Sequence, residues 1–299
     1  MPGEPVSNRS RDFGALRYIE AKTLDNAFDL RARNKTMFKK ILIANRGEIA
    51  VRLIRAAHDM DIDSVAIYAQ DDAQALHVQL AGTAVSLDDT GPSAYLNMAK
   101  VIAVAQAQGC DAIHPGYGFL SERADFAQAC MAAGLVFIGP DPAHLHLFGD
   151  KASARQLALA CDVPLMPGLN HAVTLEEAQA FFSAQQGAGV MIKAIGGGGG
   201  RGMRAVFTAE ALPEAYARCT SEARAAFGVE GVYVERLMLQ ARHIEIQVLG
   251  DGQAVMSLGD RECSVQRRFQ KLIELAPSPS LMPGIRAQIT LAALTMEAH

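Results

Sequence analysis

At 299 residues the chain has room for one large domain or two of ordinary size, and with half its residues hydrophobic and a fifth charged it has the balance of a globular protein. A net charge of −4 and a pI near 6.1 exclude the basic footprint of a nucleic-acid binder, and no apolar run is long enough to span a bilayer or to form a signal-peptide core. Cys110, Cys130, Cys161, Cys219 and Cys263 are odd in number, widely spaced and never in a CxxC pair, which points to a reducing cytoplasm and away from a disulfide framework or zinc site.

Residues 1–36 are polar and mixed in charge, and read as a mobile arm or an upstream extension. Glu20, Asp25 and Asp29 argue against a mitochondrial presequence. From Phe38 the texture changes. Lys39–Ala44 reads as a buried strand, Gly47–His58 as the helix after it and Ser64–Tyr68 as the next strand, completing a βαβ unit. The cycle continues with a strand at Ala84–Leu87, a helix at Tyr95–Gln108, a strand at Asp111–Ile113, a helix at Asp125–Ala133 and a strand at Leu135–Ile138. Such alternation predicts an α/β fold with a doubly wound, Rossmann-like parallel sheet. The first turn, Asn45-Arg-Gly-Glu48, is not GxGxxG, so no dinucleotide site is read there. His114-Pro-Gly-Tyr-Gly-Phe-Leu-Ser-Glu122 falls at a strand's carboxyl end, where open α/β sheets place ligands, although its glycines also suit a plain turn.

Gly139-Pro-Asp-Pro142 is strong punctuation and reads as a domain boundary. His144 and His146 make a cap or surface pair rather than a metal site, since no third ligand stands nearby. Lys151–Cys161 is helical, and Thr174-Leu-Glu-Glu177 has the form of a capping box. Next comes a strand to Ile195, interrupted by Lys193 near its end, then Gly196–Gly200, Arg201 and Gly202, then a strand from Met203 to Phe207. Glycines let backbone N–H groups approach an anion, and the flanking lysine and arginine add charge, so the loop suits a polyphosphate; the alternative is a flexible linker. It is not a P-loop, because no Gly-Lys-Ser/Thr opens a helix behind it. A helix at Ala211–Ala226, a strand at Gly231–Glu235 and a hairpin of His243–Leu249 with Ala254–Leu258 follow. His243, Glu245 and Gln247 alternate with apolar residues and share one face, either surface or cleft. Pro283–His299 reads as a helix.

Six ordered runs now resemble one family: Ile41-Leu-Ile-Ala-Asn-Arg-Gly-Glu-Ile-Ala50, His114–Glu122, Gly149-Asp-Lys151, Ile192–Met203, Arg242-His-Ile-Glu-Ile-Gln247 and Ser264-Val-Gln-Arg-Arg-Phe-Gln-Lys-Leu-Ile-Glu274. Together they are similar to the biotin carboxylase subunits and domains of biotin-dependent carboxylases, members of the ATP-grasp fold. The resemblance implies an N-terminal extension at 1–36, a biotin carboxylase N-terminal domain at 37–150 and an ATP-grasp domain at 151–299. It implies that Lys151 and Lys193 contact ATP phosphates, that Gly198, Gly199 and Gly200 belong to a lid over ATP, and that Glu235 and Met238 bind adenine. His243 and Gln266 would reach the ribose and nearby ATP contacts. Lys271, with Arg268 beside it in the catalytic set, would stabilise the charge that builds as carboxyphosphate forms; Arg267 or Arg268 has the alternative role of bracing its loop.

The implied reaction activates bicarbonate with ATP and passes CO2 to N1 of biotin. Biotin would be carried by a separate biotin carboxyl carrier protein or domain and handed to a carboxyltransferase, with the carboxylase a homodimer in the cytoplasm. Two departures stand out. Phe269 takes a position where the family commonly has His or Asn. The family's domain also continues beyond the point matching His299, with two acidic residues for Mg²⁺ or Mn²⁺ and an Asn-x-Arg-x-Gln-x-Glu segment. The expectation is therefore a shortened member with no metal ligands of its own, impaired turnover and an exposed sheet edge. The alternatives are a non-catalytic ATP-binding or dimerisation fragment, and another ATP-grasp ligase such as a carbamoyl-phosphate synthase fragment.

Overall fold

The computed structural model describes residues 38–169, 171–195, 202–227, 231–252, 254–267 and 270–298, apart from the side chains of 151, 152, 226 and 227. The glycine run at 196–200 and Arg201, Arg268, Phe269 and the N-terminal extension lie outside the described residues. Two compact units divide between Ala154 and Arg155.

In the first unit, strands β1 (Lys40–Ile43), β2 (Asp63–Tyr68), β3 (Thr83–Ser86), β4 (Ala112–His114) and β5 (Val136–Phe137) form one parallel sheet in the order β3-β2-β1-β4-β5. The apolar run of β1 is buried on both faces because alternate residues serve different layers. Leu42 and Ala44 join one core with Val65, Ile67 and Ile113, while Ile41 and Ile43 join another with Ala50, Ile54 and Ala57 of helix α1 (Gly47–Asp59). Helix α2 (Leu76–Leu80) holds His77, fully buried, with both ring nitrogens unpartnered among the described residues.

The helix read from Tyr95 begins later, as α3 (Met98–Ala107). Asn97 caps it by accepting from the Lys100 N–H, and Pro92–Leu96 forms a 3-10 turn that buries Tyr95. Helix α4 (Ala124–Ala132) lies close to its expected bounds. The Gly139–Pro142 turn does not end the unit. Asp141 caps helix α5 (Pro142–Gly149) by accepting from Ala143 and His144, and Leu145 packs against the first core.

The strand order reverses between β1 and β4, and the loops leaving these two strands are tied together there. Asn45, fully buried, donates through Nδ2 to the carbonyls of Pro115 (2.7 Å) and Tyr117 (3.0 Å) and accepts from the Arg46 N–H. The next residue in the loop, Gly116, has φ +67 and receives no Cβ: one would sit 2.7 Å from both Asn45 Nδ2 and Ile49 Cγ2. Arg46 pairs with Asp72, which also accepts from the Tyr95 hydroxyl at 2.7 Å. This places Asn45-Arg46 and the His114–Glu122 run at the carboxyl edge of the sheet.

Helix α6 (Lys151–Ala160) runs across the division between the units. In the second unit, helix α7 (Leu175–Ala184) starts at the expected capping box, Thr174 and Glu177 bonding each other's backbone N–H. Strands β6 (Val190–Ala194), β7 (Met203–Val206) and β8 (Val232–Arg236) make an antiparallel sheet in the order β7-β6-β8, with helix α8 (Leu212–Phe227) packed on it. A second antiparallel sheet comprises β9 (Ile244–Gly250), β10 (Val255–Arg267) and β11 (Gln270–Leu275), with helix α9 (Pro283–Glu297) against β9 and β10. The hairpin read from the sequence stops at Leu258, but β10 runs on for nine residues more. A register shift between Ser257 and Gly259, with Gly259 at φ +99, breaks the alternation without ending the strand. β11 is exposed along its length, including Leu272, Ile273 and Leu275.

Because Gly116 combines a left-handed φ with contact against Asn45, Gly116→Ala should cost at least about 2 kcal/mol. Urea denaturation followed by circular dichroism measures it; a change below about 0.5 kcal/mol would show that the loop absorbs the methyl group.

Candidate functional site

The β6–β8 register sorts the side chains of this sheet. Val190, Ile192, Ala194, Val232 and Val234 are buried, and the valines and Ile192 build the core shared with Ala178 and Cys219. The opposite face carries Met191 and Lys193 on β6, Tyr233 and Glu235 on β8, and Met203 opposite Lys193 on β7. On it the Lys193 ammonium and the Glu235 carboxylate form an ion pair, their side chains 24% and 12% exposed.

Glu235 is held from the outer edge of β8 too. Gly168 bridges it, the Arg236 N–H donates to Pro167 O and the Leu169 N–H to Val234 O. A Cβ at Gly168 would lie 2.9 Å from Val234 O, so this approach requires glycine. Beyond β8, the Leu237 N–H donates to Gly189 O, while Met238 is more than half exposed. The face therefore offers two thioethers, a buried phenol and one ion pair, a lining that suits a flat heterocycle joined to an anionic tail.

A second group forms on β9–β11. Lys271 Nζ donates to Glu245 Oε2 at 2.6 Å, and Arg261 donates to Glu245 Oε1 through Nε (2.9 Å) and a terminal nitrogen (2.5 Å). Burial pushes the Glu245 carboxyl up, but Lys271 and Arg261 outweigh it and hold the group below the usual carboxylate range. The same bond raises Lys271. Gln266 Nε2 donates to Cys263 O (2.8 Å) and to His243 Nδ1 (2.9 Å), which leaves the imidazole proton on Nε2, 3.9 Å from Glu245 Oε2.

The strand end carrying His243 is anchored by its neighbour. The Arg242 guanidinium forks onto both oxygens of Glu262 and reaches Ser278 Oγ and the Pro279 carbonyl, while the His243 N–H donates to Ser264 Oγ. Asp260, buried on β10, accepts from Arg286 of α9 and from the Ser278 N–H.

Of the residues read as ATP contacts, the structure thus joins Lys193 with Glu235, and His243 with Gln266 near Lys271. Lys151 opens α6, with its side chain outside the description; Gly198, Gly199, Gly200 and Arg268 also lie outside the described residues. Glu245 and Arg261 were not singled out as site residues. The alternation of His243, Glu245 and Gln247 held the signal for Glu245, whereas Arg261 required the strand pairing of Arg261 with Glu245.

Among the described residues, one trio brings ligand atoms within 4.8 Å of one another: Glu245, Cys263 and Glu274. It does not fit Mg²⁺ or Mn²⁺. A buried thiol is a poor ligand for a hard cation, and both Glu245 oxygens already accept from cationic side chains. The charge there is balanced within the protein.

The family model for the biotin carboxylase N-terminal domain matches residues 37–145, and that for the carbamoyl-phosphate synthase L chain ATP-binding domain matches residues 150–299. Pyruvate carboxylase of Staphylococcus aureus is 46% identical over 261 residues, which are 86% of this chain and 23% of that protein. The mitochondrial pyruvate carboxylase of Rattus norvegicus is 48% identical over 256 residues, 84% and 22% of the two lengths. The chain thus spans under a quarter of these curated relatives. A biotin carboxylase–β-γ-ATP complex from Campylobacter jejuni matches with a TM-score of 0.84 at 39% identity, covering 87% of this chain and 58% of that one. The biotin carboxylase domain dimer of Hydrogenobacter thermophilus 2-oxoglutarate carboxylase, with MgADP, ADP and bicarbonate, matches with a TM-score of 0.82 at 41% identity, covering 88% and 58%. No helix among the described residues is long and apolar enough to cross a membrane.

Arg242 and two serine hydroxyls hold the Glu262 carboxyl at about 2, below its ordinary 4.5. A depressed carboxylate contributes stability that is present above about pH 4.5 and is lost as pH falls towards 2. Glu262→Gln should flatten the fall in urea midpoint between pH 4.5 and 2.5; an unchanged slope would mean that the acid sensitivity lies elsewhere.

Proposed function

The chain belongs to the biotin carboxylase family of ATP-dependent ligases, and from that premise we propose that it carries the nucleotide-binding part of an enzyme that uses ATP and bicarbonate to carboxylate biotin on a carrier protein. The observation that supports this most is the β6–β8 face, where a lysine and a carboxylate meet on an otherwise apolar surface. Lys193 binds the polyphosphate, and Glu235 with the backbone beyond β8 receives the adenine. His243, fixed in one tautomer by Gln266, donates from Nε2 towards the ribose. Lys151 joins Lys193 on the phosphates, and Gly198–Gly200 close over them, excluding water from carboxyphosphate.

Lys271, raised and oriented by Glu245, stands as the cation for the γ-phosphate and bicarbonate, and Arg268 is the second member of the catalytic set. Bicarbonate oxygen attacks the γ-phosphorus and the bond to ADP breaks; carboxyphosphate then splits into CO2 and phosphate, N1 of biotin bonds to the CO2 carbon, and the N1 proton leaves on the released phosphate. Mg²⁺ or Mn²⁺ would balance phosphate charge, and no step is assigned to it through the described residues. On this reading 37–150 is the biotin carboxylase N-terminal domain and 151–299 belongs to the ATP-grasp domain. The partners are a biotin carboxyl carrier, a carboxyltransferase and a second copy of the chain, in the cytoplasm, where the five free thiols stay reduced.

The biotin carboxylase N-terminal match over residues 37–145 favours this over the carbamoyl-phosphate synthase alternative. ATP binding by the whole chain, measured by calorimetry, tests the nucleotide assignment, and bicarbonate-dependent ATP hydrolysis with free biotin tests the reaction. Lys193→Gln should weaken ATP by roughly 10- to 100-fold, the loss of one charged hydrogen bond. Wild-type protein that binds no ATP would sink the reading.

A further inference from the structure

We infer that His77 is a proton-operated switch in the first unit: neutral, it seats helix α2 in the core, and protonated, it expels α2 together with the Asp72–Arg46 contact that braces the loop after β1. The inference stands apart from the nucleotide reading above. The imidazole is fully buried, and neither ring nitrogen closes a hydrogen bond among the described residues, an arrangement that an uncharged ring tolerates far better than a charged one. α2 is five residues long and packs on α1, β2 and β3. Its hold on them depends on His77, since Val78 is half-buried and Leu76, Gln79 and Leu80 are exposed. A segment anchored by one buried side chain opens locally at low cost.

A protonated His77 finds no free counter-ion. The charged groups that act on it are Asp72, which favours the charged ring, and Arg46 at the head of α1, which opposes it; among the described residues no charged side chain within α1, β2 or β3 joins them. Asp72 is already engaged through both oxygens, Oδ1 with the Arg46 guanidinium and Oδ2 with the Tyr95 hydroxyl at 2.7 Å. Burial outweighs Asp72 and the Ile67 backbone and holds the imidazole below its ordinary 6.5. An opened segment therefore takes up a proton that the seated ring refuses, so the seat is at full strength above about pH 6.5 and weakens as pH falls below it. Asp72 lies just ahead of α2, and a departing α2 draws it away from Arg46 and Tyr95. Arg46 directly follows Asn45, whose amide ties the Pro115 and Tyr117 carbonyls, so a proton on one buried ring is felt at the carboxyl edge of the sheet.

Hydrogen–deuterium exchange of the full chain, read by mass spectrometry and normalised to intrinsic amide rates, tests the switch. Between about pH 7.5 and about pH 5.5, peptides across residues 69–81 should lose protection by roughly five- to tenfold, the slope of one proton. Peptides over residues 45–50 should loosen in step, while those of β6 and β8 stay unchanged. His77→Gln keeps a polar group in the seat but cannot ionise there, and its protection should be flat over the same interval. His77→Phe, which keeps a ring without nitrogens, is the second variant should the amide fail to fold, and it too should be flat. Unchanged wild-type protection overturns the switch, as does an equal loss in either variant, which would assign the acid response to other groups. Opening of 69–81 with 45–50 still protected overturns the coupling to the sheet edge.

Discussion

The antiparallel register of β6 with β8 is the constraint on which the second unit's site depends. It sends the valines and Ile192 into the core beneath helices α7 and α8, and it assigns Lys193 and Glu235 to the other side together. A slip of one residue would bury the lysine and expose the core, so packing and site geometry are enforced by the same hydrogen-bond ladder. The hydrophobic effect acting on one face thus fixes the electrostatics of the other.

The β9–β11 sheet solves a different problem. β11 is exposed and β9 and β10 are mostly half-buried, and the sheet's order comes from charge networks more than from a deep core: Arg242 with Glu262 and Ser278, Asp260 with Arg286, Glu245 with Arg261 and Lys271. Such networks orient side chains well, because each fork constrains two partners at once. They also explain why the carboxylates at Glu245 and Glu274 serve as counter-ions rather than as a cation site.

Much of this was legible along the chain. The apolar strands of the first sheet, the amphipathic α1 and the capping box at Thr174 announce themselves by local pattern, and the six family-like runs pointed to the membership that the comparisons show. What stayed hidden depended on pairing. β11 has no buried face to write into its sequence, and the Gly259 bulge concealed the length of β10. Both Lys193 and Glu235 stand out along the chain by their motifs, whereas their contact across 42 positions required the register. α2 with its buried His77 is too short to show a helical period.

The position of β1 in the middle of its sheet has a consequence for how the chain is made. β1 needs β2, about twenty residues on, and β4, about seventy residues on, before both of its edges are paired and Asn45 finds its carbonyl acceptors. During synthesis this apolar strand therefore leaves the ribosome well before β4 and waits with one bare edge. Non-local parallel pairing of this kind is slow and exposes sticky backbone, so this interval is when the nascent chain has most need of a chaperone.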